Sequence, residues 1–225
     1  MTEIEYLGHS AFAIRDDERE VLVDPFLSDN PRAPPSASNV RPDLVLVTHA
    51  HHDHLGDAAV LSKKFGCPVL STLEVVNRLE ELGVSVVPGN IGGEFEFPFC
   101  RVKIFPAVHS SSFEDGSYGG TACSFLLRMG GKAIFHAGDT ALFGDMSLVG
   151  EETGIDVALL PVGGTYTMDV RDSIKAMHLL RARTMVPMHF DTWDSIAVDH
   201  HLMILACESE KFALKVLAPG DRLVL

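Results

Sequence analysis

Six consecutive residues, His49-Ala50-His51-His52-Asp53-His54, restrict the fold of this chain more than any other feature. They follow Asp43-Leu44-Val45-Leu46-Val47-Thr48, an apolar run with strand character. The pattern H-x-H-x-D-H therefore delivers three imidazoles and a carboxylate at the end of a buried strand, where the chain must turn. Imidazole and carboxylate together suit zinc, iron or manganese. Four such donors within six residues cannot all reach one ion with good geometry. The spacing instead suggests two ions side by side, His49 and His51 serving one, Asp53 and His54 the other. His52 points away if His51 and Asp53 point in. An exposed histidine tract with no chemistry usually lacks a buried strand before it and a helix after it. Here Leu55 to Phe65 follows, with Leu55, Ala58, Ala59, Val60, Leu61 and Phe65 forming a broad apolar helical face.

At 225 residues the chain has ample length for a sizeable core. We read residues 1–225 as one domain of two pseudo-symmetric halves, approximately 1–115 and 116–225. Its net charge of −13, with no basic block, argues against nucleic acid and other long polyanions. A small anion held by metals is compatible with that charge. The N-terminus has no signal-like pattern and no stretch approaches about 18 apolar residues, so a cytoplasmic protein without a membrane partner is expected. The four cysteines lie far apart without a C-x-x-C pair, which disfavours a disulfide framework.

Strands alternate with helices. Ile4 to Leu7, Ala11 to Arg15 and Glu20 to Val23 read as opening strands, and 30–42 as a loop or flap beside the histidine run. Leu44 to Val47 and Pro68 to Ser71 read as buried strands, and Leu73 to Leu82 as a helix ending at Gly83. Phe95 to Phe97 and Val102 to Phe105 read as strands before a polar loop, 110–120. Ser124 to Leu127 and Lys132 to His136 form a hairpin turned at Gly130-Gly131. Asp156 to Pro161 and Thr184 to Met188 are further strands. Asp169 to Leu180 is a helix that Asp169 caps, with Asp172 completing a capping-box pattern, and Ser195 to Cys207 is the last helix. Two sheets face to face with helices outside account for this order.

Further ligands are sought where strands end. Val102 to Val108 ends at His109, Lys132 to Gly138 at Asp139, and Thr184 to Met188 at His189. The glycine before Asp139 allows close backbone approach. Each residue alone reads as structural, and their recurrence beside the main motif changes that. His136 lies inside its strand and reads as a supporting or packing residue. His178, His200 and His201 fall on helices, and the methionines from Met168 to Met188 read as core.

An H-x-H-x-D-H run, a later His, Gly-Asp-Thr and a late His form a pattern that resembles the metallo-β-lactamase superfamily. The likeness narrows with Tyr6-Leu-Gly-His-Ser10, Val23-Asp-Pro-Phe26, His136-Ala-Gly-Asp-Thr140, Leu142-Phe-Gly-Asp-Met146, Thr165-Tyr-Thr-Met-Asp169 and Val186-Pro-Met-His-Phe190. These resemble the small metal-dependent hydrolase branch related to the ascorbate-6-phosphate lactonases. The resemblance implies an α/β fold, a four-layer αβ/βα sandwich of two mixed sheets. It also implies two divalent metal ions per chain: zinc, with manganese or iron as alternatives. By its pattern His49, His51 and His109 bind one ion and Asp53, His54 and His189 the other, with Asp139 bridging. Asp24 resembles the buried aspartate that holds the ligands by hydrogen bonding. His9 lies on a turn that approaches the metal groove in relatives; proton donation, substrate contact and plain support of the sheet edge all remain open for it. The loop Gly163-Gly164-Thr165-Tyr166 departs from the family's polar pair, which leaves Tyr166 between groove and core. Relatives commonly form symmetric assemblies, so a homo-oligomer is compatible.

Two ions about 3.5–4 Å apart acidify a shared water toward neutrality. The attack of such a water on a lactone, phosphodiester or thioester is the chemistry these residues support, with two overlapping roles open for Asp53: orienting the nucleophile and taking up its proton, or ligation alone. The expected partner is a small molecule. An iron-dependent oxidoreductase and a non-catalytic metal-dependent binding protein are the rival readings on the same fold.

Overall fold

Period-two alternation organises the opening strands. The computed structural model describes residues 1–152 and 154–225. The strands are β1 (Glu3–Tyr6), β2 (Phe12–Asp16), β3 (Arg19–Val23), β4 (Leu44–Leu46), β5 (Val69–Thr72), β6 (Val86–Gly89) and β7 (Glu94–Phe97). They continue with β8 (Cys100–Pro106), β9 (Cys123–Met129), β10 (Lys132–His136), β11 (Val157–Pro161), β12 (Thr184–Met188), β13 (Ala213–Leu214) and β14 (Arg222–Val224). The helices are α1 (His52–Leu55), α2 (Ala58–Phe65), α3 (Leu73–Glu81), α4 (Met146–Glu151), α5 (Val170–Leu180) and α6 (His200–Cys207).

Two seven-stranded sheets result. The first runs β14-β1-β2-β3-β4-β5-β6, the second β13-β12-β11-β10-β9-β8-β7. Ile4, Tyr6, Phe12, Ile14, Val21, Val23, Leu44 and Leu46 share one continuous core with Val102, Ile104, Phe125 and Leu127 of the second sheet. Alternate residues such as Ala13, Leu22, Val45 and Val69 face outward under their own smaller clusters. In the second sheet Val157 to Leu160 are all buried, as expected of a parallel strand covered on both faces. The expected α/β sandwich is thus the fold observed.

Several features differ from the sequence-based expectation. The helix expected over Leu55 to Phe65 begins at Ala58, because Gly56 breaks the chain at φ +39°. Asp57 then turns back, and its carboxylate accepts from Leu27 N, Ser28 N and Ser28 Oγ. The helix expected over Ser195 to Cys207 begins at His200, capped by Asp199, which accepts from Leu202 N. A short 3-10 turn at Asp194–Ile196 precedes it, and Val198 N donates to Asp191 Oδ1, which holds the intervening chain extended. The first sheet ends at β6 and the second at β7, and β14 returns to pair with β1. The 30–42 loop is no free flap: Ala37 and Val40 are buried against Leu22 and Leu61. Asp169 caps α5 as expected, but the Asp172 carboxylate pairs with Lys175.

The outer face of the first sheet carries an ion network across four strands. Glu5 is 1% exposed and meets Arg15 Nη1 at 2.5 Å and Arg222 Nη2 at 3.3 Å. Arg15 Nε also meets Glu20 at 2.6 Å. Burial alone would raise the Glu5 carboxyl, but the Ser36 hydroxyl together with the guanidiniums of Arg15 and Arg222 outweighs it and holds it below its ordinary value. The stability it contributes is therefore present above the ordinary carboxyl range and is lost as pH falls through the lowered value. Arg15→Met strands most of this buried charge and is expected to cost about 3 kcal/mol at neutral pH. Thermal melts should show a midpoint about 6–12 °C lower. The gap between variant and parent should close in strong acid.

Candidate metal centre

The donors of the expected cluster come from the segments that follow strands, with Asp53 and His54 on the short helix α1, and the topology brings those segments to one edge of the sandwich. His49 follows β4, His109 follows β8, Asp139 follows β10 and His189 directly follows β12. Their side-chain atoms form three overlapping groups whose donor atoms lie within 4.8 Å of one another. One is His49, His51 and His109; another is His9, Asp53, His54 and His189; the third is His49, His54 and Asp139. Asp139 is central. Its Oδ2 lies 3.0 Å from His189 Nε2 and 3.5 Å from His109 Nε2, and its Oδ1 lies 3.2 Å from His54 Nε2.

The backbone is specialised here. His9, Asp24 and His189 are non-glycine residues with φ of +57°, +45° and +54°. Such strain clusters where a site over-determines its geometry. A Cβ at Gly138 would stand 2.8 Å from Cys123 O and 2.9 Å from Thr48 Cβ, so only glycine lets the Asp139 turn approach the strand carrying the histidine run. His189 N donates to His9 O at 2.7 Å, and the Tyr6 hydroxyl donates to the same oxygen at 3.0 Å.

Asp24 orients two of the imidazoles. It is fully buried, and its Oδ2 lies 2.7 Å from His54 Nδ1. It also accepts from Thr48 N at 2.8 Å and from the Thr48 hydroxyl at 2.7 Å. That hydroxyl has spent its one proton, so it accepts from His49 Nδ1 at 3.0 Å. Both rings are thereby turned with Nε2 toward the cluster. His136 touches none of the donor atoms. Its Nε2 meets Ser10 O at 2.9 Å and its Nδ1 accepts from Gly138 N at 3.1 Å, which steadies the turn before Asp139.

His9 Nε2 lies 3.1 Å from Asp53 Oδ2, and its Nδ1 lies 2.8 Å from Thr192 Oγ1. Burial pushes the His9 imidazole down to about 4, against the opposing pull of Asp53. A neutral His9 beside an ionised Asp53 must carry its proton on Nε2 and accept from Thr192 on Nδ1. Burial likewise lowers His49, His51 and His109, which favours the neutral imidazoles that ligate metals. His54 is the exception: burial would lower it, but Asp139 and Asp24 outweigh that and raise it well above its ordinary value. Two buried carboxylates here call for positive charge.

The donor set fits a metal centre on its own geometry. His54 Nε2 and Asp139 Oδ1 are buried and face each other without forming a hydrogen bond, and His189 Nδ1 has no partner among the described residues. Buried polar atoms are rarely left so, and the first two converge instead of pairing off. Asp53, His51 and His109 are the partly exposed members, so the groove opens on their side.

Sequence reasoning passed over four contributors. Thr48 relays Asp24 to His49, and Thr192 fixes His9. Thr140 Oγ1 accepts from Val108 N and donates to Ala141 O, tying the His109 segment to the Asp139 turn. Trp193 stands edge-on to His9. Hydroxyls next to His49, Asp139 and the late His-Phe-Asp were the available signal. Tyr166 is 60% exposed on its loop. The four cysteines are buried free thiols. No helix among the described residues is long and apolar enough to cross a membrane.

Comparison with known proteins agrees with this geometry. The model of the beta-lactamase superfamily domain matches residues 3–189, a span that contains every residue of the cluster. A protein of Thermus thermophilus named UPF0173 metal-dependent hydrolase is 45% identical over 225 residues, covering 100% of both chains. One of the same name from Carboxydothermus hydrogenoformans is 41% identical, covering 99% of this chain and 100% of its own. Among solved structures, a metallo hydrolase from Ignicoccus hospitalis superposes with a TM-score of 0.89 at 35% identity, covering 99% of this chain and 97% of that one. With matches of this identity over the whole length, the chain belongs to the UPF0173 metal-dependent hydrolase family of the metallo-β-lactamase superfamily.

Proposed function

We propose that this metal-dependent hydrolase works at a binuclear centre and cleaves a small ester-like substrate: a lactone, phosphodiester or thioester, anionic forms included. The observation that carries the reading is the position of Asp139, whose two oxygens face histidines of both donor groups. His49, His51 and His109 would hold one ion; Asp53, His54 and His189 the other; Asp139 both. Zinc suits this nitrogen-rich set best, with manganese and iron as alternatives. When bound, the ions supply Lewis acidity and an acidified water.

The chain's own residues supply the rest. Asp53 is partly exposed at the groove and fixed by His9, so its carboxylate orients the attacking water. The water oxygen bonds to the carbonyl or phosphoryl centre, and the bond to the leaving oxygen or sulfur breaks. Asp53 takes the proton that water gives up and passes it to the leaving group, while His9 restrains the carboxylate between those events. The −13 charge keeps long polyanions from this groove.

Elemental analysis of protein purified without chelator or affinity-metal resin tests the reading. Two ions per chain are expected, falling to about one in His109→Ala as one set of three donors is broken. Chelator-sensitive hydrolysis of a lactone, phosphodiester or thioester panel should follow the metal content. A single iron per chain that cannot be supplemented, with oxygen uptake, would replace hydrolysis by oxidation. Tight substrate binding without turnover would make the protein a binding module.

A further inference from the structure

Beside the cluster, on the side of His9, stands an aromatic wall that the hydrolytic step does not use. Trp193 is the chain's only tryptophan and is 41% exposed. Its ring lies edge-on to His9 with centroids 4.9 Å apart and 6.3 Å from Phe26. Phe26, itself buried, lies 5.8 Å from His9 and 5.5 Å from His52. The far nitrogen of His9 holds Asp53, so one ring separates the indole from the groove carboxylate. The indole N–H has no partner among the described residues.

The loop that carries this ring is knitted shut. Ile196 N donates to Trp193 O and Asp191 N donates to Ile196 O, each at 3.0 Å. Val198 N donates to Asp191 Oδ1 at 2.9 Å, and the Thr165 hydroxyl reaches across from the loop after β11 to Ser195 O. A platform fixed in this way adds little ordering cost when something docks on it. A half-exposed indole held rigid, with a free donor and aromatic neighbours, is a preformed contact surface for a flat apolar group.

We infer that Trp193, backed by Phe26, is a specificity-determining residue: its ring receives an aryl or similarly planar unsaturated part of the substrate, beside the bond cleaved at the cluster. This rests on the hydrolytic reading for the word substrate, but the contact can be read without turnover. Planar groups stack on or meet an aromatic edge-on, gaining more than area burial alone, whereas a methyl or short alkyl group does not. The indole N–H, which has no partner among the described residues, can donate to an acceptor on the same group.

The test is calorimetric titration of the metal-loaded full chain with phenylphosphonate and with methylphosphonate. The parent is expected to bind the phenyl compound about tenfold tighter. Trp193→Ala should erase that preference with metal content unchanged, and Trp193→Phe should retain most of it. The single tryptophan's fluorescence should shift with phenylphosphonate alone. In any ester that is turned over, Trp193→Ala should raise KM for aryl substrates more than for their methyl counterparts. Equal binding of the two phosphonates by the parent, no saturable binding of either, or a phenyl preference that survives Trp193→Ala would overturn the inference. A phenyl preference with no hydrolysis anywhere would sink the hydrolytic reading and leave this one standing.

Discussion

Asp139→Asn is expected to lower kcat/KM of the metal-loaded protein by about a thousandfold or more, the equivalent of about 4 kcal/mol of transition-state stabilisation. The carboxylate is 2% exposed and meets His54, His109 and His189 within 3.5 Å. Burial alone would raise its pKa, but His54 and His189 outweigh that and hold it well below the ordinary range, so it stands ionised. The amide keeps the shape, removes the charge and turns an N–H₂ donor toward imidazole nitrogens. The carboxylate that faces histidines of both donor groups is lost at once. The fold should survive, because Asp24 still accepts from His54, and circular dichroism should match the parent while metal per chain drops. Turnover within tenfold of the parent would show that Asp139 does not join the two groups.

Gly56→Ala should be the most destabilising glycine substitution near the site. Gly56 has φ +39°, and a Cβ there would stand 2.4 Å from Pro25 O and 2.7 Å from Phe26 Cα. Strain and clash act together, and backbone cannot rotate out of the way as a flexible side chain does. About 3 kcal/mol or more is expected to be lost, lowering the thermal midpoint by about 6–12 °C. Gly66→Ala is the control, since Gly66 also has a positive φ of +69° but meets nothing within 4 Å; it should cost only about 1 kcal/mol. Equal losses in the two variants would show that the contact with Pro25 does not matter. Gly56 closes the turn bearing Asp53 and His54, and Pro25 follows Asp24. The clash therefore also pushes on the 2.7 Å contact between Asp24 and His54, and metal content should fall with stability.

The sandwich and the convergence of the histidines and aspartates were legible because each donor follows a strongly apolar run. A strand's end is a position that local pattern reveals well, and His49, His109, Asp139 and His189 all use it. The breaks in α2 and α6 were hidden for the opposite reason. Apolar periodicity runs through Leu55 and Ile196, and what stops each helix is distant: the Pro25 carbonyl against Gly56, and the Asp191 carboxylate holding Val198. β6, β13 and β14 are short edge strands with no buried alternation of their own. Thr192 and Trp193 follow His189 with no distinctive spacing, and their meeting with His9 comes from contact between loops of opposite sheets, which no local pattern encodes.

The donors belong to both halves of the sandwich. His49, His51, Asp53 and His54 hang from the first sheet, while His109, Asp139 and His189 hang from the second. Metal held by donors from both sheets would be a cross-link made without a covalent bond, and separating the sheets would mean releasing it. Occupancy and folding then become one linked equilibrium, in which a ligand at a thousand times its Kd adds about 4 kcal/mol. A chelator acts on such a molecule as a denaturant does, and the melting temperature reports how full the site is before any substrate is known.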